Sequence, residues 1–126
     1  MINVLQQSKK VWNKFLIKKL KKNNPFLGDP KGYHCMIVDD LVQSGGTLIE
    51  CAQGLLNNGA TNISAFVGHG IFPNESWKKF IHSNSPKVRF HTFYVTNTYP
   101  KTQVLINQPP FKVLSIAQIL CNICFT

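Results

Sequence analysis

The chain has 126 residues, with 14 basic and 5 acidic side chains and a formal charge of +9. That length holds one domain or a piece of one, and a hydrophobic fraction of 44% is enough for an ordinary core. No run reaches the roughly 20 apolar residues of a membrane span, and no apolar run of leader length follows the first charges, so neither a spanning helix nor a secretory signal is expected.

The basicity is concentrated at the start. Residues 1–31 hold eight lysines and one aspartate, against six basic and four acidic groups in the remainder. The segment KKVWNKFLIKKLKKNN carries Trp12, Phe15, Leu16, Ile17 and Leu20 among its lysines. As a helix it would be amphipathic and cationic, which suits an anionic surface. The plainer reading is a solvated, lysine-rich helix or strand packed on the domain by that apolar stripe, with no nucleic-acid or membrane partner. Residues 1–27 are taken as this basic segment and 28–126 as the domain proper, with Gly28-Asp29-Pro30 as the turn between them.

Cys35-Met36-Ile37-Val38 has the length and composition of a short strand. From Gly45 to Asn57 the pattern is helical, with Leu48, Cys51, Ala52, Leu55 and Leu56 at helical spacing and Asn58-Gly59 as the stop. Ile63 to Val67 is a second strand. Pro73 to Ile81 reads as a short helix opened by proline, with Trp77, Phe80 and Ile81 as its apolar contacts. Val88 to Val95 is a third strand and Phe111 to Leu114 a fourth, followed by a short apolar helix through Ile119, Leu120 and Ile123. Alternating strand and helix predicts an α/β fold, a parallel sheet with flanking helices joined by right-handed crossovers.

Such sheets bind ligands beyond the carboxyl ends of their strands, where Asp39 and Asp40 follow the first strand of the unit. Adjacent side chains on a strand point to opposite faces, and where the strand stops two carboxylates can spread around one polyol. Carboxylates accept hydrogen bonds from hydroxyls and can hold magnesium directly or through water. The turn Gln43-Ser44-Gly45-Gly46-Thr47 then leads into the helix. Its glycines permit positive φ and close approach of the backbone, and the N–H groups at the helix start favour a phosphate. No Gly-Lys-Ser/Thr follows, so this is not a Walker loop. Together the two features suit a sugar phosphate. The bland alternative is a strand-turn-helix with a capping Ser or Thr.

The remaining candidates are weaker. Cys121 and Cys124 form one C-x-x-C pair, whereas a structural zinc site needs four ligands, so no metal is assigned. Without a secretory signal, the four thiols fit a reduced, cytoplasmic setting. His34, His82 and His91 show no metal-ligand spacing and read as structural or exposed. His69, Thr96 and Thr98 follow strands and either face the ligand crevice or satisfy local turns.

MIVDDLVQSGGTL resembles the ribose-phosphate loop of type I phosphoribosyltransferases and of ribose-phosphate pyrophosphokinases. VGHGIFP, FYVTNTYP and FKVLSIAQIL resemble later strands, loops and the last helix of the pyrophosphokinases, and favour them over a nucleobase phosphoribosyltransferase. The resemblance runs from Gly28 to Ile123 and is closest to the plant-type, phosphate-independent class. It implies a partial phosphoribosyltransferase-like domain. Asp39 and Asp40 would bind the hydroxyls of ribose 5-phosphate, and Gln43, Ser44, Gly45, Gly46 and Thr47 its phosphate; the commoner class carries an acid where Gln43 stands. It further implies magnesium as cofactor, conversion of ATP and ribose 5-phosphate to phosphoribosyl pyrophosphate and AMP, and homo- or hetero-oligomers of synthetase subunits. Members have a pair of similar α/β domains and are longer, so ATP binding would need a domain or partner that this sequence does not hold. The expected alternative is a non-catalytic binding or regulatory subunit that pairs with a full-length synthetase.

Overall fold

The computed structural model describes residues 2–7, 12–17 and 29–125; for the first two stretches the backbone alone is described. Six strands form one sheet: β1 (Ile2–Gln7), β2 (Trp12–Ile17), β3 (His34–Val42), β4 (Asn62–Gly70), β5 (Phe93–Thr96) and β6 (Phe111–Leu114). Their order in space is β2-β1-β3-β4-β5-β6. Strands β3 to β6 are mutually parallel, and β1 joins β3 and β2 antiparallel. Of the two forms open for the basic segment, residues 12–17 take the strand; Leu20 lies outside the described residues.

Helix α1 (Gly46–Asn57) crosses from β3 to β4 and buries Leu48, Cys51, Ala52 and Leu55. Their spacing sets one stripe against the sheet, where Cys35 and Ile37 of β3 and Ile63, Ala65 and Val67 of β4 are buried at alternate positions. Beyond β4 the core is aromatic: Phe72, Phe80, Phe90, Phe93 and Phe111 pack with ring centroids from 4.8 Å (Phe93–Phe111) to 6.2 Å (Phe80–Phe111). Most of these contacts are edge-to-face, which adds to burial itself.

The elements differ from expectation mainly in length. β3 continues past Val38 to Val42 because β4 extends to meet it, pairing Asp39 with Val67, Leu41 with His69 and Val42 with Gly70. The acids therefore sit within the last half of a strand rather than beyond its end. The third predicted strand shrinks to Phe93–Thr96. Val88 and Phe90 are buried from an irregular segment instead, so alternation there marks core contact without pairing. Residues 73–80 form a kinked 3-10 helix, since Asn74 and Glu75 have φ of 53° and 56°. The final helix, α2 (Ile116–Cys124), forms as expected but buries no residue. No helix among the described residues is long and apolar enough to cross a membrane.

Candidate functional site

The carboxyl end of β3, the turn after it and the first turn of α1 make one continuous surface. Alternation along β3 puts Asp39 on the α1 face with Cys35 and Ile37, half-buried, and turns Asp40 to the other face, exposed. The Asp40 N–H donates to Asp39 Oδ1 at 2.9 Å. Burial, then the side chain of Asp40, raises the Asp39 carboxyl above the usual range, against the bond from the Asp40 N–H. Asp40 is held below its ordinary value, first by the Asp39 side chain and then by the Leu41 N–H. Two neighbouring carboxyls are thus driven apart in acidity, Asp39 being the one that keeps a proton longer.

Gln43 and Ser44 lead exposed from the strand to Gly45, which is buried and left-handed, φ 84° and ψ 5°. No side chain caps the helix start, which sets aside the Ser or Thr cap of the bland alternative. The Ile49 N–H donates to the Gly45 carbonyl at 3.0 Å, the first closing bond of α1. The N–H groups of Gly46, Thr47 and Leu48 precede it, as at any helix start. Gly46 and Thr47 are exposed, so this end faces solvent with its positive dipole pole. The two glycines have different reasons. A Cβ on Gly45 would run into the Phe80 ring, whereas on Gly46 its nearest neighbour is Ser44 Oγ at 3.9 Å.

A hydroxyl cluster closes the neighbouring strand ends. Thr96 and Thr98 both donate to the Gly68 carbonyl, the latter at 3.1 Å, and Thr98 Oγ1 lies 2.6 Å from His69 Nδ1. His69 is therefore tied to the end of β5 beside the acids. Gly68, which sequence reasoning passed over, lies between Val67 and His69, whose partners Asp39 and Leu41 flank Asp40, and a Cβ there would stand 2.8 Å from the Asp40 carbonyl oxygen. Its signal in sequence was its place in Gly-His-Gly at a strand end.

The other histidines make local contacts, and His91 is exposed beside Thr92 and the His34 ring. His34 Nε2 shares a 2.8 Å hydrogen bond with Ser64, and the His82 Nε2–H donates to the Phe90 carbonyl at 2.7 Å. All four cysteines are free; burial pushes Cys35 and Cys51 up to about 11, with Asp39 and Cys35 adding to the effect at Cys51. Among the described residues no three His, Cys, Asp or Glu groups come together as a metal cluster.

The four parallel strands β3 to β6 with their flanking helices make an α/β fold of the phosphoribosyltransferase-like class, the fold shared with a phosphoribosylpyrophosphate synthetase. The sequence matches the phosphoribosyl synthetase-associated domain family over residues 4–124, and the chain belongs to the ribose-phosphate pyrophosphokinase family. It is 50% identical over 93 residues to "Ribose-phosphate pyrophosphokinase 3, mitochondrial" of Spinacia oleracea, covering 71% of this chain and 23% of that one. It is 51% identical over 92 residues to "Ribose-phosphate pyrophosphokinase 4" of Arabidopsis thaliana, covering 71% and 27%. The crystal structure of phosphoribosylpyrophosphate synthetase from Mycobacterium smegmatis superposes with a TM-score of 0.64 at 29% identity, over 82% of this chain and 33% of that one. The chain thus spans about a quarter of the length of these plant relatives.

Proposed function

We propose that this chain carries the ribose 5-phosphate site of a ribose-phosphate pyrophosphokinase. The observation that carries the reading is the continuity of the Asp39–Asp40 pair with the left-handed Gly45 turn and the uncapped start of α1. Asp39 and Asp40 accept hydrogen bonds from the ribose hydroxyls. Gln43 to Thr47 wrap the phosphate, with backbone N–H groups and the Ser44 and Thr47 hydroxyls as donors. In the complete reaction a ribose hydroxyl attacks the β-phosphorus of ATP, giving phosphoribosyl pyrophosphate and AMP. The contribution of this chain is to hold the acceptor sugar and fix its orientation.

Magnesium fits these residues in one way. Asp40 is exposed, its carboxylate meeting the Asp39 side chain and the Leu41 N–H, while Asp39 accepts from the Asp40 N–H. With few protein ligands, a magnesium ion here would keep waters and substrate oxygens in its shell. When bound, it would supply charge neutralisation at the sugar and transferring phosphate. The four free thiols suit a reducing compartment.

A second reading makes the chain a binding or regulatory subunit of a full-length synthetase. It is favoured by α2 and the residue after it, where Ile123 is 70% and Phe125 87% exposed, an apolar end suited to a partner. Isothermal titration with ribose 5-phosphate and magnesium tests the first reading. Binding is expected in the wild type and its loss in the Asp39→Ala/Asp40→Ala double variant; equal binding by both would remove the acids from the site. Co-purification with a full-length relative, lost in Ile123→Glu, tests the second.

A further inference from the structure

The hydroxyl cluster at the ends of β4 and β5 is not needed to close the fold. Both strands are already paired, Ala65 with Phe93 and Val67 with Val95, and Thr98 lies beyond the end of β5, exposed. Yet it gathers several polar contacts on one carbonyl. Thr96, buried, and Thr98 donate to Gly68 O; their hydroxyl oxygens lie 2.9 Å apart; and the Thr98 N–H donates to Thr96 Oγ1 at 3.4 Å. A carbonyl oxygen has two lone pairs, so both hydroxyl protons can be spent there. The 2.6 Å contact between Thr98 and His69 then takes its proton from His69 Nδ1–H, which leaves Nε2 as an acceptor.

The other side of Gly68 meets the sugar site. Gly68 sits between Val67 and His69, which pair with Asp39 and Leu41, and the Asp40 carbonyl occupies the space that a side chain at 68 would fill. Gly68 is held by one hydroxyl from the end of β5 and one from just beyond it, and abuts the Asp40 carbonyl on β3. A shift of Gly68 is therefore passed to Asp40, and through the Asp40 N–H to the Asp39 carboxyl that it bonds.

We propose that Thr98, with Thr96 and His69, is a positioning group for the sugar site: it clamps Gly68 and so sets the aim of the Asp39–Asp40 pair. The proposal rests on the ribose 5-phosphate reading for its ligand, while the clamp itself can be seen without ligand. Thr98→Val keeps the shape and removes the hydroxyl; Thr98→Ser restores the hydroxyl. Three measurements are made on the whole chain: ribose 5-phosphate affinity by isothermal titration, melting temperature, and the Asp40 amide position in a nitrogen–proton NMR spectrum.

In Thr98→Val the Asp40 amide is expected to move and affinity to fall about 5- to 10-fold, the scale of one well-placed hydrogen bond, with little change in melting. Thr98→Ser is expected to recover both. His69→Asn, which keeps a donor near the Nδ1 position, should lie closer to wild type than His69→Ala. An unmoved Asp40 amide in Thr98→Val overturns the clamp, and unchanged affinity with a displaced amide overturns its positioning role. Absence of sugar binding in the wild type sinks the ribose 5-phosphate reading and the positioning role with it, leaving the amide shift to decide the clamp alone.

Discussion

A Cβ atom on Gly45 would fall against the ring of Phe80, so the turn at the candidate phosphate site rests directly on the aromatic core. Phe80 is fully buried and stands edge-to-face against Phe72, Phe90, Phe93 and Phe111. Its ring cannot move aside without disturbing all four. Sequence reasoning assigned Gly45 to backbone freedom and anion access, which predicts that Gly45→Val harms binding more than stability. The contact with Phe80 changes that expectation.

Gly45→Ala is expected to destabilise the fold by about 2–4 kcal/mol, because a side chain at φ 84° is strained and also overpacks the core. Gly46→Ala separates the effects, since a Cβ there meets nothing closer than Ser44 Oγ at 3.9 Å. It should melt near wild type while weakening ribose 5-phosphate. Thermal melting and titration on the same samples check this; a Gly45→Ala protein that melts normally would mean that Phe80 does not buttress the turn.

Asp39 gives a pH dependence with a definite sign. Its carboxyl is raised above the ordinary value by burial first, so between the two values the folded chain binds more proton than the unfolded one. Its contribution to stability therefore falls as pH rises through that window. Asp39→Asn, whose side-chain oxygen still accepts from the Asp40 N–H, should melt no lower than wild type at neutral pH yet bind the sugar less well. Asp40, shifted downward, works in the opposite sense, losing a contribution as pH falls below its ordinary range. Melting curves of wild type and Asp39→Asn between pH 4 and about 7 separate them: a constant difference across that range would show that Asp39 does not titrate there.

The cysteines divide by burial. Cys35 and Cys51 are buried, with thiols pushed up to about 11, while Cys121 and Cys124 are exposed on α2. The thiolate is the reactive form. Iodoacetamide on the folded chain near neutral pH should label Cys121 and Cys124 and spare Cys35 and Cys51, as peptide mass spectrometry would report. Rapid labelling of Cys51 would place α1 off the sheet.

The parts legible in sequence are those set by local pattern. Leu48, Cys51, Ala52 and Leu55 marked α1 to within one residue at its start, and Phe111–Leu114 was read with its observed bounds. What failed depended on partners far along the chain. Asp39 and Asp40 looked like the end of a strand because acids are poor strand formers, but pairing with β4 carries β3 through them. Val88 and Phe90 alternate like a strand, but the ladder between β4 and β5 begins at Ala65 and Phe93, and the segment before it meets β4 through the His91 N–H on the Ile63 carbonyl. That a glycine turn leads from the acids into α1 could be read from the sequence. The reason for Gly45 could not, since it lies in Phe80.

The lone chain is expected to release no AMP from ATP, ribose 5-phosphate and magnesium above the blank rate. In-line attack requires the β-phosphorus to be held against the ribose hydroxyl, and most of the catalytic advantage of such reactions comes from that alignment and from neutralising the transferring group. On the proposed reading the acid pair and the helix start hold the acceptor sugar, and holding a nucleoside triphosphate in line takes further groups. The chain spans 23% and 27% of its spinach and Arabidopsis relatives, so the donor side of the reaction would have to come from another domain or subunit. AMP release is measured for the chain alone, for a full-length relative alone and for the mixture. The expected result is turnover in the second and third samples. Sustained turnover by the lone chain, abolished by Asp39→Ala/Asp40→Ala, would mean that these 126 residues bind both substrates.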